Sequence, residues 1–295
     1  MKDLRLKPMS ICRMTAKEKF DILSKLESMS EEEIHALIMK EVGKMYPDTS
    51  LLYDIIERIN GKAIISKQDD EGNTVLHKIA WHNHESILHV SNLLMNVMML
   101  QKENAFIDTI NNDGMTALDI ALEQESADIA KMLILMGADV MKGKTPPLIS
   151  ALKSNLREIA LMLIEKGCDV FAMESNLKTS SLMWAIDKKM SDVAIELIKR
   201  GVSVELPNHN GERPLTLACR KDLADIVKEL IKAGANPEKV NRGGWLPFQL
   251  SRTFIDKRNP ELRLKKAEMK HTFHVHQINL AKDMEAKWKE NSNMN

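Results

Sequence analysis

Apolar residues recur three and four positions apart through most of the chain, and strict apolar–polar alternation is rare. One such stripe runs through Phe20, Leu23 and Leu26. Thr15 and Glu18 precede it with the spacing of a capping box, in which two side chains satisfy the first free N–H groups of a helix. Because this periodicity is helical rather than strand-like, the sequence predicts an all-α protein.

A longer pattern repeats within this helical background. Each copy has a turn, a short helix that opens on an apolar residue, and a second helix that ends in Gly followed by a small or apolar residue, as at Gly137, Gly167, Gly201 and Gly234. The apolar residues that open the first helices are spaced by 42, 30, 34, 33 and 33 positions, and they are Leu76, Leu118, Leu148, Leu182, Leu215 and Phe248.

This pattern resembles the ankyrin repeat, whose period is about 33 residues and whose signature is a turn glycine, then T-P-L-H-x-A, then a helix that ends in L-L-x-x-G-A. The resemblance implies an ankyrin-repeat solenoid of about six helix-turn-helix repeats with short hairpin loops over residues 61–254. The first and last repeats are divergent. Residues 1–60 are predicted to be a helical N-terminal cap, and 255–295 a charged C-terminal helix with a disordered tail.

The sequence departs from the ankyrin signature at several positions. The signature histidine is present at His77, whereas Asp119 stands at the same place in the next repeat. Lys144 and Lys178 replace turn glycines. The 42-residue spacing predicts an insertion of about nine residues near 93–102.

Charge, cysteine content and hydropathy limit the classes of partner and the cellular compartment that we expect for this chain. The 42 basic and 42 acidic residues cancel, so the whole chain lacks the net positive charge typical of nucleic-acid binding. Three cysteines without short spacing indicate reduced thiols in a cytoplasmic protein. The longest apolar run, 93–100, is far short of the roughly 20 residues that span a bilayer. We therefore expect no nucleic-acid partner and no membrane insertion.

Two near-matches to catalytic motifs fail on spacing. Five residues separate Gly137 from Gly143, whereas a phosphate-binding loop has four. His84 and His89 stand five positions apart, whereas zinc-binding histidines on one helical face stand four apart. We predict no catalytic residue, no metal, no cofactor and no enzymatic activity.

The resemblance implies that a partner binds at the hairpin tips and at the exposed ends of the first helices. In the order of the chain, acidic positions come first and basic positions later. The predicted partner-binding residues are Asp70, Glu71, Trp81, Asp113, Met115, Glu123, Lys153, Lys188, His209, Arg220, Lys221, Arg242 and Trp245.

The function expected from this resemblance is that of a monomeric protein-interaction scaffold or adaptor that binds another protein. The Met-, Lys- and Asn-rich sequence with helical flanks also resembles ankyrin-repeat effectors of intracellular bacteria, which act on proteins in the host cytosol. Two alternatives stay open at this point. They are a small enzyme and a nucleic-acid-binding protein, each of which would use the helical flanks.

Overall fold

The computed structural model describes residues 14–44, 48–58, 66–81, 106–250, 271–276, 278–279 and 282. The predicted insertion near 93–102 and most of the predicted C-terminal segment lie outside these residues. Of that segment, residues 271–276 are helical. The chain packs as two compact units, 1–147 and 148–295.

The described part of the first unit opens with three helices. They are α1, Ala16–Lys25, extended by a 3-10 turn at Leu26–Ser28, then α2, Glu31–Val42, and α3, Thr49–Arg58. The predicted capping box is confirmed, because the Thr15 hydroxyl accepts from the Glu18 N–H at 3.3 Å. Ser30 and Glu33 form a second capping box in the same way at the start of α2.

Three further helices complete the described part of this unit, namely α4, Val75–Trp81, α5, Ala117–Glu123, and α6, Ala127–Leu135. Helix α4 packs against α2 on one side and α5 on the other. The core consists of fully buried aliphatic side chains, the largest being Ile38, Leu51, Leu52, Ile55, Ile56, Leu76, Ile79 and Leu118. The N-terminal helices therefore share one core with the first predicted repeats.

The described part of the second unit contains three successive helix pairs. The pairs are α7, Pro147–Lys153, with α8, Arg157–Glu165; α9, Ser181–Asp187, with α10, Ser191–Lys199; and α11, Pro214–Arg220, with α12, Ala224–Lys232. A 3-10 turn at Pro247–Leu250 packs on α11. First helices have 7 residues and second helices 9. The stacked helix pairs confirm the predicted helical repeat fold.

The described strands form one short hairpin. Strand β1, Met173–Glu174, pairs antiparallel with β2, Thr179–Ser180. Lys178, which replaces the expected glycine, has φ of 50°, a left-handed conformation that a side chain disfavours. The hairpin is thus retained in spite of the substitution.

The turn inside each helix pair also contains a left-handed residue, which the sequence analysis did not identify. These residues are Glu125, Asn155, Lys189 and Asp222, with φ between 57° and 59°. The N–H of the following residue donates to a carbonyl five positions back, for example from Leu156 to Ala151 at 2.9 Å, which satisfies an orphan carbonyl at the helix end. Across the described parts of the chain, no helix is long and apolar enough to cross a bilayer.

Candidate functional site

A groove of about 830 Å³ opens in the first unit between the C-terminal end of α2, helix α4 and two hairpin loops, the first at 69–73 and the second at 111–115. We call it the α2–α4 groove. Its walls come from the C-terminal end of α2, from α4 and α5, and from the two hairpin loops. It is lined by Met39, Lys40, Gly43, Asp70, Glu71, Asn73, His77, Lys78, Trp81, Asn111, Asn112, Asp113, Met115 and Ile120.

Each of the two hairpins is fixed by one side chain at its start. The Asp69 carboxylate accepts two backbone N–H groups of its own hairpin at 3.0 and 2.8 Å. The Asn111 side-chain oxygen accepts two in the same way at 3.1 and 3.0 Å. We call these hydrogen bonds the hairpin frames. Asp70 and Asp113 lie at the tips of the two loops, their side chains take no part in the hairpin frames, and both residues are exposed.

The two hairpins are hydrogen-bonded to each other through Asn112. Its backbone N–H donates to the Glu71 carbonyl at 3.0 Å, and its side-chain amide donates to the Asp70 carbonyl at 3.0 Å. Gly72 has φ of +77°, and a Cβ there would lie 2.6 Å from the Asn112 Oδ1. The contact therefore requires glycine at position 72, and it holds the two tips at a fixed spacing.

His77 joins helix α4 to the second hairpin from a buried position. Its Nδ1 accepts from the Thr74 N–H at 3.1 Å, which leaves Nε2 to donate to the Met115 carbonyl at 3.0 Å. Burial lowers the pKa of His77. The imidazole is therefore neutral in the fold and serves to position the groove wall.

Asp119 replaces this histidine in the next repeat and makes an equivalent link with opposite polarity. Its Oδ2 accepts from the Thr116 N–H at 2.9 Å and from the Lys144 N–H of the following hairpin at 3.1 Å. Asp119 is fully buried, and its burial raises the pKa of the carboxyl. Gly143 makes room for this side chain, because a Cβ there would overlap the Asp119 carboxylate.

The charges around the groove fall into an ion-paired set and an unpaired set. Lys78 bridges Asp69 at 3.2 Å and Glu71 at 3.0 Å. Burial alone would lower the pKa of Lys78, but hydrogen bonds to these two carboxylates outweigh it and raise the pKa. Asp70 and Asp113 form no ion pair with any residue that the structure describes. Their carboxylates are thus available at the rim.

Apolar surface completes the groove. Trp81 is the last residue of helix α4. It is 57% exposed, which is unusual for a large aromatic residue. Met39, Met115 and Ile120 are buried and line the groove with apolar atoms. The groove thus combines an exposed indole, an apolar floor and carboxylates at the rim, which suits a cationic or amphipathic group of a ligand.

The structure brings five of the predicted partner-binding residues into this groove, namely Asp70, Glu71, Trp81, Asp113 and Met115. Met115 was expected as an exposed tip residue, but it is only 8% exposed, because its carbonyl is tied to His77 and its side chain faces the floor. Glu123 is exposed at the end of α5, and it is not among the residues that line the groove.

The contribution of α2 to the groove was not predicted, because the sequence indicated only a helical cap in residues 1–60. Met39, Lys40 and Gly43 line the groove from the C-terminal end of this helix. Helical periodicity places Met39 beside the buried Ile38, but it does not show which helix lies opposite. That arrangement depends on the packing of α2 against α4.

In the second unit, several predicted binding residues already have partners. Lys153 pairs with Glu174 at 2.7 Å and lies 5.7 Å from the centroid of the Trp184 ring. Trp184 Nε1 and one Glu174 oxygen are buried without a hydrogen bond in the structure. Lys153 therefore already contacts Glu174 and Trp184 within the chain.

Two predicted cations at the end of α11 are likewise paired. The Arg220 guanidinium donates twice to the Glu212 carboxylate, both at 2.9 Å. Lys221 pairs with Asp187 at 2.7 Å. An acidic ligand at this position would have to displace both carboxylates.

The remaining predicted residues of this unit lie at turns. Lys188 is half-buried directly after α9. His209 is exposed in a hairpin, where its backbone N–H donates to the Leu177 carbonyl at 2.8 Å. Arg242 is exposed in the last described hairpin, and Trp245 of the same hairpin is 54% exposed.

The described residues offer little for catalysis. Burial raises the pKa of the Cys168 thiol to about 11 and also raises that of Cys219, so neither thiol is an activated nucleophile. Within the parts of the chain that the structure describes, no group of three or more His, Cys, Asp or Glu residues is placed to hold a metal ion.

Comparison with known sequences identifies the repeat. A family model described as ankyrin repeats, in three copies, matches residues 47–144 and 182–251. The human neurogenic locus notch homolog protein 1 is 26% identical over 162 residues, which are 54% of this chain. The match spans 6% of that relative's own length.

Solved structures agree with this match. The human ASB11 ankyrin-repeat domain is similar with a TM-score of 0.53 and 18% identity, covering 78% of this chain and 96% of that domain. The Bcl-3 ankyrin-repeat domain gives 0.51 and 18%, covering 74% and 93%. An ankyrin-repeat domain from Acinetobacter baumannii AYE gives 0.50 and 25%, covering 67% and 96%. These similarities confirm the predicted fold.

Proposed function

Because this chain belongs to the ankyrin-repeat family, whose repeats are protein-interaction modules, we propose that it binds a partner protein in the α2–α4 groove. The observation that carries the proposal is the exposed Trp81 inside a groove of about 830 Å³. Aromatic residues in concave, partly apolar sites contribute strongly to protein–protein binding. The chain would act as a binding scaffold in the cytoplasm and would not itself catalyse a reaction.

The frame of the groove supports this proposal. Asn112 and Gly72 fix the two hairpins to each other, and His77 ties α4 to the second hairpin. A site that is rigid before binding loses less conformational entropy when the partner arrives. The same contacts leave Trp81, Asp70 and Asp113 exposed to a partner.

The test is a comparison of two tryptophan variants as baits. Trp81→Ala removes the indole in the groove, and Trp245→Ala removes an equally exposed indole, 54% against 57%, in a hairpin of the second unit. Proteins captured from a cell lysate by the wild-type chain and by Trp245→Ala, but not by Trp81→Ala, would support the groove. Both variants should melt at the wild-type temperature, because neither side chain is buried.

Other results would contradict the proposal. If Trp245→Ala alone loses the partner, the interface lies in the second unit. If both variants retain every partner, the α2–α4 groove is not the binding site. If the wild-type chain captures no protein above a bait-free control, the binding function itself is wrong.

The biological setting is a separate proposal. The Met-, Lys- and Asn-rich composition with helical flanks supports a role as a bacterial effector that acts on a host protein. On that proposal, Trp81-dependent capture should occur with a eukaryotic lysate and not with a bacterial one. Trp81-dependent capture from the bacterial lysate alone would indicate an adaptor that works inside the bacterium.

A further inference from the structure

The unpaired charges of the α2–α4 groove indicate the chemistry of its ligand. Four carboxylates, those of Asp69, Asp70, Glu71 and Asp113, lie in or beside the groove. Two ammonium groups accompany them, and one of these, Lys78, is held between Asp69 and Glu71. The surplus of negative charge lies at the rim, where Asp70 and Asp113 are exposed, and it favours a cationic ligand group.

The aromatic and apolar parts of the groove narrow the choice of cation. An indole face attracts a cation through its quadrupole, and Trp is the strongest side chain in this respect. A floor of Met39, Met115 and Ile120 suits the aliphatic stem of a long side chain. Lysine and arginine both have such stems, whereas a metal ion has none.

The two carboxylates at the rim, those of Asp70 and Asp113, favour arginine over lysine. The tips that bear Asp70 and Asp113 are joined by the Asn112 hydrogen bonds, so both carboxylates are presented from one rigid rim. A guanidinium is planar and stacks on an aromatic face while its edges donate hydrogen bonds to carboxylates. An ammonium is a compact, strongly hydrated point charge that gains less from stacking.

We propose that the α2–α4 groove binds an arginine side chain from an extended segment of the partner protein, with the guanidinium against Trp81 and facing Asp70 and Asp113. This inference rests on the proposed protein-binding function and specifies its ligand. The groove, at about 830 Å³, is larger than one side chain needs and leaves room for the neighbouring backbone of the segment. Lys40 lies at the α2 side of the groove and disfavours a second basic residue there.

The probe is a set of short, capped peptides that differ in one central residue, which is arginine, lysine, citrulline or glutamate. Binding is followed by the indole N–H signals of the 4 tryptophans in a two-dimensional NMR spectrum of the full chain. We expect the arginine peptide to shift the Trp81 signal saturably and to leave the Trp245 signal in place. Citrulline keeps the shape of arginine without its charge, so its peptide should bind at least about fivefold more weakly.

Matched variants test the carboxylates. Asp70→Asn with Asp113→Asn should weaken the arginine peptide by about fivefold or more, since two charge-assisted contacts are lost. The control is Asp128→Asn, which removes an exposed carboxylate in the first turn of α6 that does not line the groove, and it should leave the affinity unchanged. All variants should keep the wild-type melting temperature, because none of these carboxylates belongs to the hairpin frames.

Several outcomes would overturn the inference. The inference is wrong if the lysine, citrulline or glutamate peptide binds as tightly as the arginine peptide. It is also wrong if the Asp70→Asn/Asp113→Asn variant keeps its affinity, or if no saturable shift occurs at millimolar peptide. A Trp81-dependent partner combined with any of these results would leave the proposed function standing and replace only the ligand. Arginine binding without any Trp81-dependent protein partner would support the ligand assignment and contradict the proposed function.

Discussion

His77 and Asp119 show how one position in a repeat can be filled by two chemistries. Both side chains cap the start of their own helix through a threonine, and both reach the next hairpin. His77 donates to a carbonyl, whereas Asp119 accepts from an N–H. Replacement of the signature histidine therefore reverses the hydrogen bond without removing it. The sequence marked Asp119 as a departure, but only the structure gives its partner.

The buried His77 gives a first prediction, which concerns acid stability. The unfolded chain takes up a proton at this residue near its ordinary pKa of 6.5, while burial lowers the pKa in the fold. Protonation therefore favours the unfolded chain. The stability that comes from neutral His77 is complete above that ordinary pKa, and it is lost as the pH falls toward the lowered folded value.

His77→Gln should remove this pH-dependent component and lower the free energy of unfolding at neutral pH by about 1–3 kcal/mol, because buried hydrogen bonds are lost. Urea denaturation between pH 5 and pH 8 would measure both effects, roughly spanning the titration of histidine. His209→Gln is the matched control, since His209 is exposed and its replacement should leave the free energy of unfolding at neutral pH unchanged. Identical pH profiles for His77→Gln and the wild-type chain would contradict the prediction.

At the level of helices and turns, the sequence predicted most of what the structure contains. The described first helices begin within one residue of the predicted apolar positions, for example Ala117 beside Leu118 and Pro214 beside Leu215. The periodicity succeeds because each helix must bury one face against its neighbours. The left-handed turn residues were not predicted, since Glu125 and Lys189 are not residues that usually adopt positive φ.

These turns give a second prediction, which uses two equivalent positions. Lys189 and Asn155 have the same φ of 59°, and Asn tolerates this conformation better than Lys. Lys189→Asn should stabilise the chain by roughly 0.5–1 kcal/mol, and Asn155→Lys should destabilise it by a similar amount. The midpoint of chemical denaturation measures both changes. Shifts of the same sign in the two variants would show that something other than backbone conformation dominates.

The groove was predictable only in part, for a reason that applies to helix packing in general. The repeat frame placed Asp70, Glu71, Trp81 and Asp113 on tips and helix ends, and the structure puts all four in one groove. It placed Met115 beside them as exposed, although that residue is buried. The wall from α2 has no repeat frame to locate it, so its position depended on the tertiary contact with α4.

For the chain as a whole, the N-terminal helices are part of the fold and of the groove. Helix α2 packs on α4, and Ile38, Leu51 and Ile55 are fully buried in the core of the first unit. Deletion of residues 1–60 should therefore expose the apolar side of α4, lower the melting temperature and promote aggregation. It should also abolish every Trp81-dependent interaction, because one wall of the groove is removed.

Size-exclusion chromatography and thermal melting would test this third prediction. Deletion of residues 291–295, predicted from sequence to belong to a disordered tail, is the control and should change neither measurement. A truncated chain that lacks 1–60, stays monomeric and melts at the wild-type temperature would show that the N-terminal helices fold as an independent module.

The fixed spacing of the two hairpins has a consequence for how this protein evolves. The backbone of the rim depends on Asp69, Gly72, Asn111 and Asn112, so these four positions tolerate few mutations. Asp70 and Asp113 lie beside them, and neither side chain forms a hydrogen bond or an ion pair with any residue in the described part of the chain. Mutations at these two positions change the charge offered to a partner and leave the scaffold intact. The lineage could therefore exchange one partner for another through one or two substitutions, without passing through an unstable intermediate.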